Sequence, residues 1–204
     1  MTRFRLSALF AAVTALSLST VSLHAQTGKW IGPPDKLPKA QTGDVTRNLD
    51  FLFGALKAAP DEASAKAVEQ RIWALWLVSH SDTANLLMTR VKTAVEAQDV
   101  DLAIKLLTAL IDIKPDYVEA WNRRATLYFM KKDYGKAVSD ISEVLKREPR
   151  HFGALAGLGL ILQEIGDDKR ALEVYRRALE IYPRLEKIPE IVKTLSEKVE
   201  GRDI

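Results

Sequence analysis

The stretch AWNRRATLYFMKKDYGKAVSDISEVLKREP, Ala120 to Pro149, decides the fold. Its apolar residues recur at spacings of three and four, the period of a helix buried on one side. The pattern breaks once at Lys131–Gly135 and stops at Pro149, giving two helices and a turn. A second version, LAGLGLILQEIGDDKRALEVYRRALEIYP, runs from Leu155 to Pro183. Pro115, Pro149 and Pro183 lie 34 residues apart, as do Ala103, Ala137 and Ala171, and Asp99, Asp133 and Asp167. Three residue types on one period identify a repeat, and no strand alternation competes with it from Leu49 onward.

Aligned as 84–117, 118–151 and 152–185, the copies explain one another. Leu87, Trp121 and Leu155 hold the first large apolar site of helix A. Val91, Ala125 and Gly159 hold the small site where the paired helices approach. Asp99, Asp133 and Asp167 precede helix B, where a carboxylate accepts from free N–H groups. Ala103, Ala137 and Ala171 mark close packing. Leu107, Ile141 and Tyr175 fill the next site, then Leu110, Val144 and Ala178. Asp116 with Glu119 reads as a capping box for the following helix.

These copies resemble the tetratricopeptide repeat (TPR) family, and the whole chain resembles short exported bacterial members. The resemblance implies an all-α, right-handed superhelix (α-solenoid) of antiparallel helix pairs, with a concave face lined by helix A of each repeat. On that face the family's ligand stripe falls at Asn85, Met88 and Lys92, then Glu119, Asn122 and Thr126, then Gly153, Ala156 and Leu160. It runs from mixed polar to small and apolar, which suits an extended peptide or a partner helix. Some relatives clamp a chaperone's C-terminal carboxylate with two Lys/Asn pairs and an Arg. Lys92 and Arg123 match two of those places, but Met88, Gly153 and Gly157 occupy others, so that activity is not expected here.

Around the repeats, residues 48–83 read as a divergent N-terminal hairpin. Leu49, Leu52, Phe53 and Leu56 form one stripe; Pro60 opens the second helix, whose inner face is Val68, Ile72, Leu75, Trp76 and Ser79. Trp73 and Trp76 are expected to pack this cap on the first repeat. Residues 186–204 form a C-terminal capping helix and tail, with Ile188, Val192, Leu195 and Val199 inward and Pro189 in the first turn. That helix is a second candidate to cover the groove's apolar end.

At the other end, Arg3 and Arg5 precede an apolar run, Leu6 to Leu18, and a polar stretch ending at Ala25. This is the order of a cleavable signal peptide, 1–25, and places the mature protein in the periplasm. The alternative is an uncleaved inner-membrane anchor, the one case in which a membrane is a partner. Residues 26–47, with Pro33, Pro34 and Pro38, read as an extended linker in which Trp30, its one large aromatic, is expected to be unengaged, the alternative being that it docks on the domain or on a partner.

Without residues 1–25, 28 Lys+Arg face 27 Asp+Glu, so the charge gives no case for nucleic acid. The 204 residues include no cysteine, which excludes disulfides, cysteine metal sites and a cysteine nucleophile. Ser79-His80-Ser81-Asp82 has the residue types of a hydrolase triad, but neighbours at a helix end lack its geometry. It reads as a turn and N-cap. His80 and His151 lack metal-ligand spacing, and Gly153–Gly159 lacks the strand a dinucleotide fingerprint needs. Arg124 should pair with Asp140, whereas Arg90, opposite Leu106, must reach solvent or another partner. The expectation is a protein- or peptide-binding adaptor with no catalytic residue, metal or cofactor.

Overall fold

The computed structural model describes residues 30–34 and 45–201, and among them all regular structure is helical. The expected signal peptide lies outside the described residues. The elements are α1 (Val45–Ala58), α2 (Glu62–Trp76), α3 (Asp82–Glu96), α4 (Val100–Ile113), α5 (Val118–Met130), α6 (Tyr134–Arg147), α7 (Phe152–Glu164), α8 (Asp168–Ile181) and α9 (Ile188–Val199). The pairs α3–α4, α5–α6 and α7–α8 are the three repeats. The first helix begins three residues inside the expected linker.

The repeat period is written into the backbone. Gln98, Lys132 and Gly166 all have positive φ, at 58°, 59° and 82°. Each ends its helix in the left-handed conformation, so its own N–H and the next one turn back onto the last carbonyls. Asp99, Asp133 and Asp167 donate from N–H to the carbonyls of Ala94, Tyr128 and Leu162 at 2.8, 2.9 and 2.8 Å. The same three carboxylates accept from the N–H of Leu102, Lys136 and Arg170, capping the following helix. One aspartate thus closes one helix and opens the next. The Arg170 N–H holds the Asp167 carboxyl below its usual range, and the Lys136 side chain does so for Asp133.

The aligned sites pack as their sizes require. Ala103, Ala137 and Ala171 are fully buried, and Leu107, Ile141 and Tyr175 stack beside them. Arg124 donates to both carboxylate oxygens of Asp140 at 2.8 Å, and its third contact is Thr108 Oγ1 in the preceding repeat. Asp140 holds this guanidinium above its usual range. Arg90 is solvent-exposed.

Three expectations are corrected. Pro60 does not open α2: Asp61 is the N-cap and accepts from the Ser64 N–H at 2.8 Å. The capping box at Asp116 and Glu119 does not form. Tyr117 takes the N-cap position of α5 without a side-chain bond, because the Glu119 carboxylate is drawn into a buried cluster. Nor does the α1–α2 hairpin stack on the first repeat. It folds across the solenoid, and one hydrophobic core joins α1, α2, α7, α8 and α9. Trp73 and Trp76 meet Phe152 of the third repeat at 5.6 and 5.1 Å between ring centroids. Glu69 anchors the turnover: its buried carboxylate accepts from Trp73 Nε1, Tyr182 Oη and Lys66 Nζ, at 3.2, 3.2 and 2.9 Å. At the rim, Arg150 pairs with Asp50 at 2.7 Å and lies 4.2 Å from the Phe53 ring centroid.

Gly159 tests the close-packing site. A Cβ there would sit 2.5 Å from the Tyr175 ring, and that ring is buried with its hydroxyl donating to Gln163 at 2.7 Å. Gly159→Val should cost about 1–3 kcal/mol by overpacking. Urea unfolding followed by circular dichroism measures it, and an unchanged midpoint would contradict this packing.

Candidate partner-binding groove

The expected ligand stripe divides. On α3, Asn85 and Lys92 are exposed and Met88 is half-buried; on α5, Thr126 is half-buried. Glu119 and Asn122 are only 0% and 1% exposed, and Gly153, Ala156 and Leu160 are buried as well. These last five do not present a free surface, because other parts of the same chain cover that end.

Part of the cover is the segment Trp30–Pro34. The Trp30 ring lies against Phe129 at 5.5 Å between centroids. A Cβ on Gly157 would fall 2.5 Å from the Trp30 ring, and one on Gly153 would fall 2.8 Å from the Ile31 carbonyl and 3.0 Å from the Trp73 ring. The segment passes along α7 and bounds a cleft of about 360 Å³ with Ala156, Leu160, Tyr175, Lys66, Glu69 and Ile188. Trp30 is therefore engaged, contrary to expectation, and this strap rather than α9 alone closes the apolar end. No alternation or period marks an isolated Trp in a proline-rich stretch. The available signal was its counterpart, two glycines one helical turn apart on α7.

Behind the strap lies a buried polar cluster. His151 is the N-cap of α7, and its Nδ1 accepts from the Ala154 N–H at 3.0 Å. With that nitrogen accepting, Nε2 carries the proton and donates to Glu119 Oε1 at 2.8 Å. The imidazole also lies flat on Trp76, with centroids 4.1 Å apart and planes 8° from parallel. Asn122 Nδ2 donates to the same Glu119 oxygen at 3.4 Å. Glu119 Oε2, Asn122 Oδ1 and Arg123 Nε are buried without hydrogen-bond partners, and Arg123 stands 4.0 Å from Glu119. Arg123 thus stands beside the Glu119 carboxylate without a hydrogen bond to it, its side chain 32% exposed.

The Ser79–Asp82 segment is a turn. Ser79 Oγ donates within reach of Asn85 Oδ1 and the Ser81 carbonyl, at 2.7 and 3.0 Å, and Ser81 caps α3. His80 sits at positive φ with its side chain exposed. No nucleophile–base–orienter geometry results. Among the described residues, no cluster of His, Asp or Glu is arranged to hold a metal ion, and no helix is long and apolar enough to cross a membrane.

Comparison with known proteins places this geometry. The tetratricopeptide repeat family matches residues 88–143 and 133–186. A TPR repeat-containing protein of Rhizobium etli is 43% identical over 155 residues, covering 76% of each chain. The first TPR domain of Spaghetti (RPAP3), bound to an HSP90 peptide, superposes with a TM-score of 0.55 at 22% identity, covering 59% of this chain and 95% of that one. MamA superposes with a TM-score of 0.54 at 18% identity, covering 78% and 84%.

His151→Ala would remove the α7 cap, the stacking partner of Trp76 and the donor to a buried carboxylate. Stranding Glu119 should make the loss about 3 kcal/mol or more. His151→Ala with Glu119→Gln should recover part of it, because the stranded charge is gone. Denaturant unfolding of the single and double variants measures both effects.

Proposed function

Because the chain belongs to the tetratricopeptide repeat family, we propose that it is a protein–protein interaction adaptor that takes a peptide or partner segment in its concave groove. The observation that carries this reading is the division of the stripe. Asn85, Met88, Lys92 and Thr126 stay accessible at one end, while the other end already holds a length of chain against helix A. A groove that accommodates Trp30–Pro34 has the depth and apolar floor that peptide recognition uses. The structural neighbour bound to an HSP90 peptide is consistent with that use of the fold. No catalytic step enters the reading.

The adaptor reading also includes export. Arg3, Arg5, the run Leu6–Leu18 and Ala25 are the supporting residues, and the periplasm is the proposed compartment. Retention of the segment would instead make a membrane-tethered scaffold.

Two measurements test these points. Crosslinking and pull-down with wild type and Met88→Glu/Lys92→Glu should show a partner lost in the variant while circular dichroism stays unchanged. Identical partners from both proteins would remove the accessible stripe from the interface. N-terminal sequencing of the chain recovered from its native host should begin at Gln26; a chain that retains residues 1–25 would replace cleavage by tethering.

A further inference from the structure

The α7 end of the groove is a made-to-measure seat. Gly157 leaves room for a flat ring, Phe129 walls it, and Gly153 admits a backbone carbonyl that any Cβ would exclude. The occupant, Trp30-Ile31-Gly32-Pro33-Pro34, has no regular secondary structure, and its consecutive prolines disfavour a helix. It is nevertheless an imperfect ligand. Trp30 Nε1 is buried with no hydrogen-bond partner, which works against the indole's own burial. What favours it is the tether: residues 35–44 join it to α1, and a short linker sets an effective concentration on the order of millimolar.

We propose that this seat is a receptor for an extended partner segment carrying an aromatic side chain followed within a few residues by prolines, and that Trp30–Pro34 is an occupant in cis which such a segment displaces. The inference rests on the adaptor reading and narrows it, since an extended aromatic–proline segment replaces the wider choice of peptide or helix. The cleft beside the strap, walled by Lys66, Glu69 and Ile188, gives the partner's flanking residues a place to continue.

The test uses the full chain and a fluorescent peptide of its own sequence, Trp30–Asp35, which has no lysine or arginine for trypsin to cut, read by anisotropy. Trp30→Ala vacates the seat and should bind the peptide at least tenfold more tightly than wild type, where the tethered strap competes. Adding Gly157→Val to Trp30→Ala should abolish that binding, as should replacing the peptide's tryptophan by alanine. In the wild-type chain, millimolar peptide should speed trypsin cleavage after Lys29 and Lys36 several-fold, a readout that needs no variant. No binding to a folded Trp30→Ala protein, equal binding to both proteins, or an unchanged cleavage rate would overturn the proposal. A concentration-dependent dimer that Trp30→Ala dissolves would also overturn it, assigning the seat to the strap of a second copy. If the peptide fails while Met88→Glu/Lys92→Glu still loses its partner, the adaptor reading stands and this inference falls.

Discussion

Trp76 lies flat on His151, and the shape of the groove depends on that contact. The imidazole joins three separate parts of the chain. Through its ring face it holds α2; through Nδ1 it caps α7; through Nε2–H it reaches Glu119 on α5. A solenoid of three repeats would otherwise leave its concave side open along its length. With the ring in place, α2 is brought across the third repeat, Trp73 becomes part of the floor beside Gly153, and the strap has something to lie against.

The hairpin's position follows from which surfaces it can bury. Trp73 is fully buried and Trp76 nearly so, and aromatic side chains of that size remove 150–250 Å² each from water. Phe152 and His151 supply ring edges and faces to meet them, and Tyr182 packs edge-on against Phe152. The helices of the first repeat, α3 and α4, carry no aromatic side chain, and Leu86, Leu102 and Ile113 stay 55%, 44% and 58% exposed. The polar cost of crossing the groove is met locally, because Glu69 finds three donors as it is buried. Burial, then the nearby Glu69 charge, pushes the Tyr182 hydroxyl up, which keeps it a donor to that carboxylate.

The repeats were legible because their constraints are local and periodic. Asp99, Asp133 and Asp167, the buried alanines and the Arg124–Asp140 pair each follow from residue size or charge at a fixed offset. Within the repeats, the non-glycine positions at positive φ, Gln98 and Lys132, were not legible, since only Gly166 announces that conformation. Closure of the chain was not legible either. An amphipathic stripe on α2 says that Ile72 and Trp76 are buried but not against what, and a terminal hairpin has two candidate surfaces. Glu119 and Asn122 fell on the expected ligand stripe of helix A. Their burial depends on α2 arriving from a distance in sequence, which no spacing within the repeat encodes.

Glycine in the interior of a helix costs roughly 1 kcal/mol relative to alanine, and α7 carries Gly157 and Gly159 in its interior, with Gly153 in its first turn. Gly159 is offset within the repeat, where Tyr175 takes the space. The other two gain nothing from their own helix pair. Their missing side chains are filled by Trp30, the Ile31 carbonyl and Trp73, all contributed from before the first repeat. A helix A built only to stack on its neighbours could carry alanine at both positions and be more stable alone. The weakened helix makes physical sense only with a ring and a backbone segment lying on it, so the groove's third repeat is shaped around an occupant, whether the strap or a segment that takes its place.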